Sequence, residues 1–373
     1  MTGGPAEDAP ADAAAGQEAP LSSPTAPVGE DRILLGLNTF GDVGTAPDGS
    51  PQPHAQVLRQ LLEQAELADA VGLHAFGVGE HHRKDYAVSA PEVFLAAAAA
   101  RTSRIRLGSA VTVLSSDDPI RVFQRFSTVD AISNGRAEVM LGRGSFIESF
   151  PLFGLDLADY EVLFEEKLAL FDKVRAQKPV HWEGRTRPAL HGLSVYPPLE
   201  HHLLPTWIGV GGTPESVLRC AQYGYPIIFA IIGGQPRAFG PLADLYREAM
   251  AKYGHALQQV ATHSPGHVAP TDEEAREEFF PHWLALRNRL GAERGWGPAG
   301  RGEFEALCAP EGALYVGSPD TVARKIVQLK RNLGVDRFDF KYSNGPLPHA
   351  AMMRSIELLG TAVAPRVADA LAG

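Results

Sequence analysis

The chain has 373 residues, 45% of them apolar, which is enough to bury a large core in one big domain or in two ordinary ones. Its 34 basic and 44 acidic residues give a net charge of -10, and basic residues never cluster beyond a pair, which argues against nucleic acid and anionic membranes as partners. Cys220 and Cys308 lie far apart, so neither a disulfide framework nor a zinc site is predicted.

Residues 1–30 differ in composition from the rest of the chain. Ala, Pro, Gly and Ser dominate there, with five acidic residues and no basic one. Such a segment buries too little apolar area to offset its chain entropy, so we predict a disordered tail. It lacks the basic start and apolar block of a secretory signal, and no later stretch offers about 18 uninterrupted apolar residues. We therefore expect a soluble, cytoplasmic protein.

From residue 33 onward, apolar strand patterns alternate with patterns of helical spacing. The predicted strands are 33–38, 75–79, 105–114, 137–141, 207–210, 226–232, 263–269 and 336–342. The predicted helices are 55–70, 90–102 with Ser89 as N-cap, 119–133, 160–177, 214–223, 236–253, 272–290, 319–333 and 349–363. This alternation predicts a single (β/α)₈ TIM barrel over residues 31–365, and a doubly wound open sheet is the alternative.

Two stretches fall outside this alternation. Residues 178–204, with a tryptophan, glycines and paired prolines, predict a hairpin insertion. Residues 291–312 are rich in Gly and predict an irregular loop, which in a compact domain is usually a lid or a disordered segment.

The second predicted strand stops abruptly at Glu80, His81 and His82. In a barrel of this kind, the C-terminal ends of the strands carry the reacting groups. Side chains of adjacent histidines point in different directions and make a poor metal site, so we predict no metal. An imidazole near its pKa suits proton transfer, which we assign to His81. For His82, a role in function and a simple hydrogen bond to Glu80 both stay open.

Two further strand ends suit an anion. The turn from Gly211 to Ser216 joins a strand to a helix, where glycines permit close approach and the helix start offers unpaired N–H groups. Arg143, between two glycines, presents a guanidinium fork that matches a phosphate. An ordinary capped helix also explains the turn, and Arg143 can instead pair with Glu138 or Asp117. Together the two features favour a phosphate-bearing cofactor.

With these strand ends in view, the chain resembles the bacterial luciferase-like (LLM) flavin-dependent monooxygenases over about residues 33 to 360. The resemblance rests on local agreements in the same order, namely Glu80-His81-His82, residues 107–114 with Asp118-Pro119-Ile120-Arg121, Asn134-Gly135-Arg136, Gly142-Arg143-Gly144, residues 211–216 with Tyr223-Gly224-Tyr225-Pro226, and Val316-Gly317-Ser318-Pro319.

The resemblance implies a luciferase-like barrel that holds reduced FMN at its C-terminal mouth. Such an enzyme reacts with O₂ through a flavin C4a-peroxide and inserts one oxygen atom into a small organic substrate. The family comparison makes His81 a catalytic residue, with Glu80 beside the flavin, and places Arg143, Thr213 and Ser216 at the phosphate. A homodimer is also implied.

The resemblance further places a non-prolyl cis peptide bond at Ala110-Val111, where it supports the flavin ring. Gly211 and Gly212 belong to the cofactor-binding turn, although Gly212 replaces a glutamate of luciferase. Gly142 likewise replaces a reactive cysteine, so the substrate pocket and flavin chemistry need not match light emission. The sequence shows no Gly-x-Gly-x-x-Gly turn for NAD(P)H, which predicts that a separate reductase delivers FMNH₂.

Two rival functions stay open. One is hydride transfer with the deazaflavin F420, and the other is flavin binding without catalysis. The substrate is not determined by the sequence, and the expected pocket walls come from Asn38, Phe40, Ser145, Phe146 and the lid.

Overall fold

The computed structural model describes residues 25–46, 48–200 and 203–373. Eight parallel strands close into a barrel with helices around it, which confirms the predicted (β/α)₈ fold. In chain order the strands are β1 (Leu34–Thr39), β2 (Ala75–Val78), β3 (Arg106–Ser109), β4 (Thr112–Val113), β5 (Ala137–Gly142), β6 (Val180–Trp182), β7 (Leu190–Leu193), β8 (Thr206–Val210), β9 (Ile227–Ala230), β10 (Val260–Val268), β11 (Tyr315–Gly317) and β12 (Arg337–Lys341).

The barrel consists of β1, β2, β3, β5, β8, β9, β10 and β12, and β12 pairs with β1 to close it. The helices are α1 (His54–Ala70), α2 (Pro91–Ala99), α3 (Pro119–Ser133), α4 (Ser149–Leu152), α5 (Tyr160–Arg175), α6 (Pro214–Gln222), α7 (Gly240–Lys252), α8 (Asp272–Arg294), α9 (Arg301–Cys308), α10 (Pro319–Leu333), α11 (His349–Leu358) and α12 (Ala364–Ala372). Within the described ranges, none of them is long and apolar enough to cross a membrane.

The local sequence determines where helix α3 begins and ends. The Asp118 side chain accepts hydrogen bonds from the N–H groups of Ile120 and Arg121 at 2.9 and 3.2 Å, and Pro119 occupies the first turn. The helix ends at Asn134, which has a left-handed φ of 56°. These signals place both ends of α3 where the sequence predicts them.

Two local predictions differ from the structure. Helix α2 follows Ala90 as N-cap with no side-chain capping bond, so the Ser89 cap is wrong, and Pro91 alone marks the start. The predicted strand 105–114 is divided into β3 and β4. The Ala110-Val111 peptide bond between them is cis, as the resemblance implies.

The ordered fold begins earlier than residue 31. Residues 1–24 of the predicted tail lie outside the described residues, but Thr25 accepts the N–H of Gln259 through its carbonyl at 2.8 Å. Val28 donates its N–H to Asp336 Oδ1 at 3.0 Å. These two hydrogen bonds fasten residues 25–28 to the starts of β10 and β12, so residues 25–30 of the predicted tail belong to the described fold.

About half of the stretch 291–312 is helical, contrary to the predicted irregular loop. Helix α8 continues to Arg294, and α9 begins six residues after Gly295 ends α8 in a left-handed conformation. Phe304 of α9 is fully buried and packs on Trp283 and Phe280, with ring centroids 5.3 and 5.2 Å apart. This aromatic packing overrides the low helix propensity of the glycines.

The predicted insertion at 178–204 contains the antiparallel pair of β6 and β7. Residues 201 and 202 lie outside the described part of the chain. The hairpin forms its own two-stranded sheet and contributes no strand to the barrel.

The interior of the barrel contains charged side chains as well as apolar ones. Arg337, Asp339 and Glu138 lie inside, each no more than 3% exposed. Glycines on neighbouring strands make room for them. A Cβ at Gly36 would lie 2.3 Å from Asp339 Oδ1, and one at Gly108 would lie 2.7 Å from Glu138 Cγ. The strand glycines are therefore required by the polar side chains across from them.

Candidate active site

A cavity of about 280 Å³ opens at the C-terminal ends of the barrel strands. Seven of the predicted site residues line it, namely Glu80, His81, Ala110, Val111, Arg143, Gly211 and Ser216. The hydroxyl of Thr213 is 2.9 Å from that of Ser216, and Gly212 lies between Gly211 and Thr213. The predicted residues therefore meet at one rim. Asn38, Phe40 and Ser145 of the expected pocket wall line it as well.

Both carboxylate oxygens of Glu80 are engaged by the protein. Oε2 accepts the backbone N–H of Val113 at 2.9 Å, and Oε1 accepts a hydrogen bond from Nε2 of His82 at 2.8 Å. Of the two interpretations left open for His82, the structure shows the hydrogen bond to Glu80. The carboxylate consequently fixes the end of β2 to β4.

His81 lies in a box of aromatic rings. Its ring centroid is 4.6 Å from that of Phe40, 4.4 Å from Tyr86 and 5.3 Å from Phe146. Nε2 is buried and has no hydrogen-bond partner among the described residues. Burial lowers the pKa of His81 to about 3, although the charge of Asp42 acts in the opposite direction. The imidazole is thus neutral near pH 7. The expectation that His81 works near its pKa is therefore wrong.

Arg143 pairs with neither Glu138 nor Asp117. Its Nη1 donates to Oε1 of Glu161, which is 62% exposed. A second arginine, Arg219, approaches the other oxygen of Glu161 at 3.7 Å. The exposed carboxylate of Glu161 therefore pairs with the guanidinium group that was predicted to hold a phosphate.

The glycine turn ends in the first turn of α6, with Pro214 at the first helical position. Thr213 is the N-cap, but its hydroxyl bonds to Ser216 and caps no N–H group. Gly212 has φ +117°, a conformation that side chains rarely adopt, and a Cβ at Gly211 would have nothing within 4 Å. The turn thus combines open space with helix N–H groups that no side chain caps.

Gly142 is required by its neighbour across the strands. A Cβ at Gly142 would lie 2.7 Å from Cγ2 and 3.1 Å from Cβ of Val111. The position where luciferase has a cysteine must therefore be glycine here, because Val111, next to the cis peptide bond, fills the space of a side chain.

Sequence reasoning missed a polar chain that leads from the barrel interior to the cavity. Nδ1 of His263, a cavity-lining residue, is 2.9 Å from Nδ2 of Asn38, which also donates to Oδ2 of Asp339 at 3.2 Å. Arg337 grips Asp339 with two bonds of 2.7 and 3.0 Å and reaches Oε1 of Glu138 at 2.7 Å. The only signal in the sequence is the alternation of charge and phenylalanine at 337–341.

A second buried pair, also missed, lies next to the cavity. Nζ of Lys341 is 3.0 Å from Oδ2 of Asp42 and 4.6 Å from the ring centroid of Phe40. Burial alone would raise the pKa of Asp42, but the Lys341 charge and the hydrogen bonds from Ser343 and Gly345 together hold that pKa below its usual value. Asp42 also accepts the hydroxyl of Ser343 and the N–H of Gly345, so the pair anchors the loop after β12.

In the described part of the chain, no group of three or more His, Cys, Asp and Glu side chains is arranged to hold a metal ion. Cys220 and Cys308 are both buried and unpaired.

Residues 36–337 match the model of the family described as luciferase-like monooxygenase. The chain belongs to this family. Family membership confirms the resemblance inferred from the strand-end motifs and the predicted enzyme class, a luciferase-like monooxygenase.

Curated relatives of this luciferase-like protein include two named monooxygenases. One is 4-hydroxyprotoasukamycin monooxygenase of Streptomyces nodosus subsp. asukaensis, 29% identical over 342 residues, or 84% of this chain and 87% of the relative. The other is limonene 1,2-monooxygenase of Rhodococcus erythropolis, 27% identical over 322 residues, or 83% and 81%.

Solved structures share the fold. Monooxygenase RslO1 from Streptomyces bottropensis superposes with a TM-score of 0.77 at 24% identity, over 89% of this chain and 99% of the other. The FMN complex of the oxygenating constituent of 3,6-diketocamphane monooxygenase from Pseudomonas putida gives 0.72 at 20%, over 90% and 99%. An F420-dependent secondary alcohol dehydrogenase gives 0.68 at 16%, over 90% and 99%. At these identities the likeness concerns the fold alone.

Proposed function

We propose that the protein is an FMN-dependent monooxygenase that inserts one oxygen atom of O₂ into a small organic substrate. One observation carries the proposal, which is that an anion-suited rim and an acid-imidazole strand end share a single cavity. FMN joins a phosphate to a flat ring system, so it needs an anion-binding surface and a surface for the reacting ring within one site. A cavity with only one of them would suit a smaller ligand.

The phosphate end of FMN fits the rim around α6. Open space at Gly211 lets a phosphate approach the backbone, and the start of α6 adds N–H groups with a partial positive charge. The hydroxyls of Thr213 and Ser216 are hydrogen-bonded to each other, so one of them keeps its proton free to donate to a phosphate. Arg143 supplies the charge once its exposed partner Glu161 moves away.

The ring end of FMN fits the floor of the cavity. Ala110, Val111, Met140 and Ile228 line it with apolar side chains, which favours a flat aromatic ligand. The volume of about 280 Å³ is close to the lower end of ligand sites, about 300 Å³, and the cavity is open on one side. The remainder of the cofactor and the substrate would extend toward that opening.

Bound FMN in its reduced form would supply the electrons with which O₂ is activated. The aromatic box around His81 keeps water from this part of the site. Neither ring nitrogen of His81 is committed to a hydrogen bond with the described residues, so the neutral imidazole can hold a proton at either nitrogen. Glu80, held by Val113 and His82, keeps the adjacent backbone in place.

We further propose that a separate reductase supplies the reduced flavin, because the sequence has no dinucleotide-binding glycine turn. A homodimer and a cytoplasmic location are proposed from the resemblance and the composition.

An anaerobic titration with FMN and with F420, followed by absorbance and fluorescence, tests the cofactor. We expect FMN to bind and Arg143→Ala to weaken its binding about 10- to 100-fold, the loss typical of a charge-assisted bond. Riboflavin, which lacks the phosphate, should bind the variant and the wild type equally. Tighter binding of F420 would favour hydride transfer, and an equal loss for riboflavin would remove Arg143 from the phosphate site.

Catalysis requires a second measurement. Chemically reduced FMN, ¹⁸O₂ and a panel of terpenes and cyclic ketones are incubated with the protein, and products are analysed by mass spectrometry. A product with one ¹⁸O atom is the expected result. Tight FMN binding without labelled product from any compound of the panel would favour the non-catalytic flavin-binding protein.

A further inference from the structure

His263 lines the cavity together with Asn38 and with apolar side chains such as Met140 and Ile228. It lies on β10 inside the barrel, is 8% exposed, and stacks on Phe40 with 6.0 Å between ring centroids. One ring nitrogen, Nδ1, is bonded to Asn38 at 2.9 Å. The other, Nε2, makes no hydrogen bond to a described residue. Because His263 lines the cavity, its unbonded Nε2 is available to a ligand there.

The partner of Nδ1 determines which nitrogen carries the proton. The atom of Asn38 that faces Nδ1 is Nδ2, an amide nitrogen, which can only donate. Nδ1 of His263 must therefore accept, and in a neutral imidazole the proton then resides on Nε2. The ring thus presents an N–H donor to the cavity.

The orientation of the Asn38 amide is set by Asp339, and it leaves Oδ1 of Asn38 buried without a hydrogen-bond partner among the described residues. Nδ2 also donates to Oδ2 of Asp339 at 3.2 Å, and a flipped amide would place its oxygen against that carboxylate. Arg337 holds Asp339 with bonds of 2.7 and 3.0 Å, and Glu138 holds Arg337 at 2.7 Å. All of these side chains are buried, so the barrel interior predetermines the tautomer.

The ring is also kept neutral. Burial, followed by the charge of Lys341, lowers the pKa of His263 to about 3. A neutral ring with one proton is a hydrogen-bond donor at Nε2 and not a proton source for the reaction.

We propose that His263 binds a carbonyl oxygen of a ligand through its Nε2–H group, and that Asn38 is the positioning residue that sets the tautomer. The carbonyl belongs either to the isoalloxazine ring of the cofactor or to a ketone substrate. Only this identity of the ligand rests on the proposed function. Against the apolar side chains of Met140 and Ile228, a single fixed donor would determine how the ligand is oriented.

The first test is made without ligand. Long-range ¹H–¹⁵N spectra of the full-length protein identify the protonated nitrogen of each histidine, with His263→Gln for assignment. We expect His263 to carry its proton on Nε2 in the wild type and to populate both tautomers in Asn38→Ala. A proton on Nδ1, or a tautomer unchanged in Asn38→Ala, would overturn the positioning role, because a merely structural asparagine does not set a tautomer.

The second test uses ligands. FMN, 2-thio-FMN and 4-thio-FMN are titrated into the wild type, His263→Phe and His263→Gln. If the cofactor carbonyl is the acceptor, His263→Phe should weaken FMN binding about three- to tenfold, the loss expected for one neutral hydrogen bond. The analogue whose sulfur replaces the bonded carbonyl oxygen should bind the wild type more weakly than FMN does, by the same factor. His263→Phe should not weaken the binding of that analogue further. His263→Gln, which keeps an N–H donor, should recover part of the affinity.

If the substrate carbonyl is the acceptor, FMN affinity stays unchanged in His263→Phe, and cyclohexanone added to the FMN-loaded protein shifts the Nε2–H signal. The proposal is overturned if neither FMN nor cyclohexanone moves that signal while FMN binds the wild type. Failure of FMN and F420 to bind the wild type would instead remove the proposed function, and the ligand-free spectra would still decide the tautomer.

Discussion

Replacing Arg337 by methionine should destabilise the fold strongly and in a pH-dependent way. The guanidinium is 1% exposed and holds two carboxylates inside the barrel, Asp339 with bonds of 2.7 and 3.0 Å and Glu138 with one of 2.7 Å. Methionine replaces the aliphatic stem of arginine but lacks the guanidinium group and its charge. Arg337→Met therefore removes the countercharge and leaves most of the packing.

The magnitude follows from Glu138. Burial alone would raise its pKa, but Arg337 and then Arg106 outweigh burial and lower it to about 2 from 4.5. This shift corresponds to about 3 kcal/mol of stability, present above about pH 4.5 and lost as pH falls toward 2. The variant also leaves Asp339 without its partner, so we expect a loss of about 3–5 kcal/mol at pH 7.5.

The sign of the pH dependence reverses in the variant. Burial already raises the pKa of Asp339 in the wild type, and without Arg337 it raises that of Glu138 as well, so protonation relieves the buried charge. The stability difference from wild type should therefore shrink as pH falls from 7.5 to 5.5. Urea unfolding followed by tryptophan fluorescence measures it at both pH values. Arg366→Met is the matched control, because Arg366 is 48% exposed and its pair with Asp320 should contribute at most about 1 kcal/mol. A loss below about 1 kcal/mol, or an equal loss at both pH values, would refute the reasoning.

Three further outcomes are expected. Glu161→Gln frees Arg143, so fluorescence titration should show FMN binding up to about fivefold tighter, and weaker binding would contradict the competition. Gly142→Ala places a Cβ 2.7 Å from Val111, so urea unfolding should show a loss of about 1–3 kcal/mol, and unchanged stability would mean that the neighbour yields freely. His81, with its pKa lowered to about 3 by burial, should show no NMR titration between pH 5 and 8, whereas the urea-unfolded chain titrates near 6.5, and a midpoint above 5 would contradict its burial.

The strand ends were predictable because burial changes there within one or two residues. An apolar run that stops at Glu80, His81 and His82 marks both a strand and its exit, and the glycine turn before α6 does the same. Parallel strands bring such exits to one rim, so a local pattern determines a shared site. The sequence therefore predicted where the cavity lies and which backbone turns surround it.

The barrel interior was not predictable in the same way. Arg337, Asp339 and Lys341 alternate with phenylalanines, which is the pattern of a strand with one solvated face. In the structure both faces are buried, and the charges meet partners from β1, β5 and the loop after β1, such as Glu138 and Asp42. Those partners lie 199 and 299 residues away in the chain, so no local pattern shows that the charges are paired.

The helical character of 291–312 was missed for a similar reason. Phe304 fits among aromatic rings of α8, a contact that only the folded chain provides. Composition alone favoured a loop.

The buried triad of Glu138, Arg337 and Asp339 constrains how this barrel can diverge. Loss of Arg337 alone leaves two buried carboxylates without their shared countercharge, so drift at these positions should proceed by concerted exchange of all three for neutral side chains. Because Asp339 also orients Asn38 and with it His263, such an exchange would alter ligand preference together with stability. Mutant libraries that vary only the residues at the rim of the cavity would therefore leave the orientation of His263 unchanged.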